Sequence, residues 1–315
     1  MKRFIIIFIV GIFLLAFIVG KCNNDDMEEV SEEVVELVQE KNQEIELKET
    51  VVDVPKDKEQ SVFLDSTVSD NPRNLRSYPE QILVRKGYCT SYNNETKCPN
   101  WVAWHLSREH TDGQFSRSGV PYYAADGTVY GIGSITAETC KNGYFVDIEA
   151  KEPRQQISDW TREYNMSHGH MCPAGDNKWD KAAMNQSFLL TNMCPQDEKL
   201  NGGGWQKLEE KCRSWANRYG EIFIVSGPIF YEPISRTIGE GQIAVPDAFF
   251  KVVLCIEGSP KAIGFIYKND SSSQSIKDCA CSVDVVEELV GFDFFSSLPD
   301  KIEETIESES DLGQW

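Results

Sequence analysis

Two of the four histidines in this chain, His168 and His170, stand two residues apart in YNMSHGHMCPAGDNKW, and the stretch LLTNMCPQDEKLNGGGWQKLEEKCR then supplies Asn192, Asn201, Glu209 and Arg213. An imidazole titrates close to neutral pH and can take a proton from water, which suits His170 to the work of a general base. The neutral amide oxygen of Asn201 suits a hard cation such as Mg2+ that keeps most of its own waters. Glu209 can hold one of those waters, and the planar guanidinium of Arg213 can clamp a phosphate oxygen. A base, a cation and a counter-charge are together what hydrolysis of a phosphodiester at neutral pH requires. Each residue also has a plainer reading. Asn201 ahead of a glycine run suits a helix cap. Glu209 and Arg213, four apart, suit an ordinary helical ion pair worth about 0.3–0.5 kcal/mol. His168 divides between phosphate contact and local packing.

Positioning these groups falls to a strand ending at His170 and a helix that carries Glu209. NGGGWQKLEEKCRSWANRYG reads as one helix stopped by Gly220. At 100° per residue Leu208, Cys212, Trp215 and Tyr219 fall within about 80°, which makes a buried stripe with Glu209 and Arg213 at its edge. Short β-rich runs bounded by turn residues recur at 82–84, 101–106, 145–148, 187–192, 222–225, 249–256 and 262–266. The expected class is therefore α+β, a mainly antiparallel sheet with helices on one face.

The chain has 315 residues, 41% of them hydrophobic, which is enough for a real core and excludes a wholly disordered protein. The formal charge is −19, at face value unfavourable for a phosphate partner. The acidity sits mostly at the ends, however: residues 23–60 hold 14 acids against 4 bases and residues 284–315 hold ten acids and one Lys, which leaves −3 over 61–283. A solvated acidic tail repels nucleic acid only weakly beyond a Debye length of about 8 Å. Residues 1–22 have the grammar of an export signal or membrane anchor: two basic residues, an apolar run over 4–20, then Lys21 and Cys22. Cleavage after Gly20, lipidation of Cys22 and retention as a tether stay open at this point, and all three place the chain in a bacterial periplasm, cell envelope or exterior. The expected organisation is an acidic linker over 23–70, a folded domain over 71–300 and an acidic tail over 301–315. Ten cysteines behind an export signal suggest an oxidising compartment, with Cys89 and Cys98 paired across a hairpin in YCTSYNNETKCPNW.

The ordered blocks GHMCPAGD, TNMCPQ and LNGGGWQKLE with Arg four residues beyond Glu209, flanked by YNNETKCPNWVAW and VDVVEELVGFDFF, closely resemble the DNA/RNA non-specific endonuclease family of ββα-metal nucleases. The resemblance covers roughly residues 75–300. It implies a ββα-metal motif and a Mg2+-dependent endonuclease, with Mn2+ able to stand in, that acts on DNA and RNA through their phosphate backbone. It also implies roles: His170 as general base, Asn201 as direct metal ligand, Glu209 as the carboxylate that orders water on the metal, and Asn192 near the active centre. Arg213, and more loosely Arg117 in QFSRSGVPYYAAD, would contact phosphate. Without a recognition helix or zinc finger, base preference should be slight.

The sequence departs from the family signature at one position, because His168 stands where an Arg usually precedes Gly-His. Arg is always charged, whereas a histidine with its ordinary pKa of about 6.5 is mostly neutral at pH 7. Two rival readings stay open. His168, His170 and Cys172, or Cys279 with Cys281, offer ligand types that suit zinc. The lost Arg and the acidic ends also fit a nucleic-acid-binding protein on a degenerate nuclease fold. His168→Arg is expected to raise the cleavage rate at neutral pH and to flatten a preference for mildly acidic pH; an unchanged or lower rate at pH 7 contradicts that role for position 168.

Overall fold

The structure is a computed structural model that describes residues 71–116, 122–123, 129–130, 140–141, 143–161, 165–231 and 233–315, with nothing stated of side chains between 117 and 142. Arg117, residues 4–20, Cys22 and the whole of the expected linker over 23–70 thus lie outside the described residues.

A seven-stranded sheet forms the centre of the folded domain. Its strands are β1 (Gln81–Val84), β2 (Cys89–Asn93), β3 (Cys98–Ser107), β6 (Glu221–Ile229), β7 (Ala248–Cys255), β8 (Lys261–Lys268) and β9 (Ala280–Cys281). They lie in the order β9-β8-β7-β6-β3-β2-β1, and each pairs antiparallel with its neighbours. A separate two-stranded ribbon pairs β4 (Met166–His170) with β5 (Met193–Asp197). The longer helices among the described residues are α1 (Lys181–Gln186), α2 (Gln206–Tyr219), α3 (Val283–Val290) and α4 (Asp300–Glu307). The fold is α+β with a mainly antiparallel sheet, as the sequence indicates.

The expected single helical face is corrected to two covered faces. Every residue of β7 is buried, so neither side of the central strands can face water. Phe265 of β8 stacks on Trp215 of α2, while a Cβ at the adjacent Gly264 would point at Val286 of α3. Successive strand residues point to opposite faces, which puts α2 and α3 on opposite sides of the sheet.

α2 follows its sequence pattern closely. Leu208, Cys212, Trp215 and Ala216 are buried, and the helix ends at Gly220, whose φ of 96° is one that an L-residue with a Cβ rarely adopts. The run 187–192 is not a strand. Phe188, Leu189 and Leu190 are buried in a turn that continues as a short 3-10 segment, Leu190–Asn192. The expected strand over 145–148 shrinks to Tyr144–Phe145.

Cys89 and Cys98 do not form the expected disulfide. The β2–β3 register sets Cys89 opposite Ala103 and Cys98 opposite Asn93, which carries the two sulfurs to different rungs of the ladder. Both thiols are free, and Cys98 is buried against Cys194. Within residues 301–315, α4 buries Ile306 and Glu307, and the ring of Trp315 lies 4.8 Å from that of Trp215. Among the described residues no helix is long and apolar enough to cross a membrane.

Candidate active site

The β4–β5 ribbon leads directly into α2. β5 is followed by a short helical segment, Glu198–Leu200, capped by the Asp197 carboxylate, which accepts from the amides of Lys199 and Leu200. A π-turn over Asn201–Trp205 comes next, kinked at Gly203, and then α2 itself. Strand, strand and helix thus give the ββα arrangement. The kink keeps Asn201 off the regular α2 lattice, on a turn where no atom lies within 4 Å of a Cβ added at Gly202 or Gly203. Gly202 and Gly203 leave the space before the helix open, while a Cβ at Gly204 would come within 2.8 Å of the Tyr267 ring.

His170 ends β4 and pairs with Met193, while His168 pairs with Pro195, so both imidazoles project from one side of the ribbon. Gly169 between them sits so close to β5 that a Cβ would come within 2.6 Å of the Gln196 side chain. The indole Nε1 of Trp205 donates to the His170 carbonyl at 3.3 Å, which ties the end of the strand to the end of the π-turn. Trp205 is fully buried, with Phe249 and Tyr267 against its ring. The His170 ring meets Phe188 edge-on at 5.1 Å. His168 lies sandwiched between Tyr144 at 4.0 Å and Trp160 at 3.9 Å, both nearly parallel to it. A guanidinium is also planar and stacks on aromatic faces, so this slot suits the Arg of the family pattern as well as a histidine.

Asn192 is fully buried and spends its amide on the backbone that follows His170. Its Oδ1 accepts from the Cys172 amide at 2.9 Å, and its Nδ2 donates to the carbonyls of Cys172 and Ser187 at 2.8 Å each. The side chain therefore fixes the turn beyond His170 and has no amide hydrogen left to offer a ligand.

Glu209 and Arg213, both half-buried, belong to a charge cluster around the buried Asp176 and Lys251 that reaches beyond the i,i+4 pair of the sequence. Arg213 donates to Asp176 at 2.9 Å, and the same carboxylate accepts from Trp104 Nε1 at 3.0 Å. Lys251 of β7 is fully buried and donates no hydrogen bond. Its ammonium lies over the rings of Trp104 at 4.8 Å and Trp205 at 4.5 Å. Burial pushes the Glu209 carboxyl up to about 7, with Asp176 adding to the rise while Lys251 and Arg213 oppose it. Burial likewise raises Asp176 against the pull of Arg213, and it lowers Lys251 against the attraction of its acidic neighbours. Asp176 stands in the quoted GHMCPAGD block, but its partnership with Arg213 depends on α2 folding back across it. Lys251, inside the apolar run AFFKVVLC, carried no sequence signal of a role near the site.

The zinc reading is not supported. Among the described residues, the His, Cys and acid groups that converge do not include His168, His170 and Cys172 together, nor Cys279 with Cys281. Cys172 is buried and accepts from Asn177 Nδ2.

Comparison with known proteins agrees with this architecture. The family model for DNA/RNA non-specific endonuclease matches residues 71–301. Nuclease EXOG, mitochondrial, of Xenopus laevis is 31% identical over 227 residues, covering 67% of this chain and 57% of that protein. Mitochondrial nuclease of Saccharomyces cerevisiae is 28% identical over 242 residues, covering 68% of this chain and 65% of that protein. These matches span only about three-fifths of the relatives' length. A solved structure of the EndoG/EndoGI complex shares the fold, with a TM-score of 0.55 at 23% identity over 71% of this chain and 89% of that one. The expected placement in a bacterial envelope or exterior is overturned, because these relatives are nucleases of mitochondria. The family model covers well over half of the sequence, and the chain belongs to the DNA/RNA non-specific endonuclease family.

Proposed function

We propose that the domain over residues 71–300, preceded by a linker over 23–70, is a divalent-metal-dependent endonuclease that hydrolyses phosphodiester bonds of DNA and RNA with His170 as general base. The observation that carries this reading is the Trp205–His170 bond, which joins the strand bearing the base to the turn bearing Asn201. The residues suit a hard cation. Asn201 offers a neutral oxygen beside the open Gly202 and Gly203, Glu209 offers a half-buried carboxylate one helical segment on, and no thiolate competes at that turn. Asn201 would hold the ion, Mg2+ or Mn2+, and Glu209 would accept from a water of its hydration shell, with the ion supplying neutralisation of charge at the leaving 3′-oxygen.

In this reading His170 takes the proton from the attacking water, and the edge of Phe188 limits the swing of its ring. Asn192 acts by positioning, since its amide holds the backbone on which His170 turns. Arg213, anchored by Asp176, presents its remaining donors to a phosphate oxygen. Arg117 is proposed as a further phosphate contact on the family resemblance alone. His168 occupies the place of the family's Arg, and its stacked rings present a flat cationic group when protonated. Contacts of this kind read the backbone, so binding should fall steeply as salt rises and discriminate little between sequences. Products would carry 5′-phosphates, as the family resemblance implies.

The raised Glu209 gives a pH signature. Its folded pKa of about 7 lies above the ordinary carboxylate value of 4.5, so over that interval the native state holds a proton that the unfolded state has released. Its contribution to stability is thus greatest below about pH 4.5 and is lost as pH rises to about 7. In metal-free protein the Tm of Glu209→Gln minus that of the unsubstituted chain is expected to grow between about pH 4.5 and 7 and then level off; a constant difference contradicts a half-buried, charge-strained Glu209. His170→Ala is expected to cut the cleavage of plasmid DNA and of RNA with Mg2+ by at least about 100-fold while leaving the circular dichroism and Tm unchanged. Cleavage near the unsubstituted rate would reject His170 as the base.

A further inference from the structure

A cluster of three acids lies away from the residues proposed for catalysis. Asp284 and Glu287 on α3 and Glu307 at the end of α4 bring one carboxylate oxygen each to within 4.8 Å of one another. α3 covers the sheet face opposite α2, so this cluster and the proposed catalytic groups are on different sides of the sheet. Glu307 is only 4% exposed, and its Oε1 is buried without a hydrogen-bond partner. Two carboxylates of α3 therefore face a third that is sealed in the protein.

Among the described residues no cation is paired with Glu307 or Glu287. Glu307 is raised first by burial and then by Glu287, Glu303, Asp284 and Asp293, with no cation among the causes. The nearby Arg73 is engaged with Asp293. Glu287 accepts from the Phe294 amide at 2.7 Å through one oxygen. That bond orients its carboxyl without neutralising it. A buried, unpaired carboxylate among like charges is costly unless it is protonated or coordinated.

We propose that Asp284, Glu287 and Glu307 form a binding site for a divalent cation of the calcium class, which fastens α4 to α3. The donors are all oxygen, as a hard cation prefers. Three carboxylates with water completing the shell suit the larger, more tolerant Ca2+ better than Mg2+, which usually takes one or two carboxylates in strict octahedral geometry. Nothing in this site depends on the nuclease reading, and it contains none of the residues assigned to catalysis.

The test uses the full chain carrying Asn201→Ala, so that the other proposed ion site does not contribute. Calorimetric titration with Ca2+ is expected to show one ion bound per chain. Ca2+ at a hundredfold excess over its dissociation constant is expected to raise Tm by about 5 °C, well beyond Mg2+ at equal concentration. Glu307→Gln, which removes a buried like charge, should raise the Tm in chelator and abolish the Ca2+ response; Glu287→Gln should weaken the response at least tenfold in ion concentration. No ion bound in the titration, or an equal Ca2+ response in Glu307→Gln, would overturn the site and leave the three acids as groups that share protons.

Discussion

The candidate site depends on one buried side chain, Trp205. Its indole reaches the carbonyl of His170, and its ring is enclosed by Phe249 and Tyr267 and lies beneath the ammonium of Lys251. Because Trp205 closes the π-turn that opens with Asn201, packing this ring against the sheet places the glycine run relative to the end of β4. Glycines alone would leave that turn many conformations. The ring at its far end fixes it to the core, and Gly202 and Gly203 stay open beside it.

The same packing sets the electrostatics. Asp176, Glu209, Arg213 and Lys251 are two acids and two bases gathered under the ribbon, with Trp104 bridging them through its bond to Asp176 and its face toward Lys251. Balanced charges can be held out of water where a lone one could not. The balance is incomplete at Glu209, which burial lifts toward neutrality. A divalent ion nearby would favour its charged form. In the proposed function that response to a cation is the use of the raised carboxyl, and the Asp176 bond would hold the Arg213 guanidinium ordered before substrate arrives.

Much of this was legible in the sequence. The helical period through Leu208, Cys212 and Trp215 and the stop at Gly220 give α2, and the alternation of β-rich runs with turns gives most of the central sheet. The order of the blocks around His170, Asn201 and Glu209 gives the ββα arrangement. Other features could not be read because they are made by tertiary contact. Lys251 looks like a surface residue in an apolar strand until Trp104 and Trp205 close over it. Residues 187–192 have strand composition, yet the Asn192 amide takes the carbonyl of Ser187 and the backbone at Cys172, which competes with a ladder. Cys89 and Cys98 lie close in sequence, but the hairpin register separates them. The second helical layer over Gly264 follows from the burial of both faces of β7, which an apolar run alone does not distinguish from a half-buried strand.

The central claim is that the imidazole of His170 stands beside an ion held by the amide of Asn201. Histidine-selective NMR during titration with Mn2+ tests it directly, since a paramagnetic ion broadens nearby ring signals. The ring of His170 should broaden saturably, ahead of His105 and His110, and Asn201→Ala should remove that effect. Broadening of His170 no greater than that of His105, or undiminished by Asn201→Ala, would contradict the account.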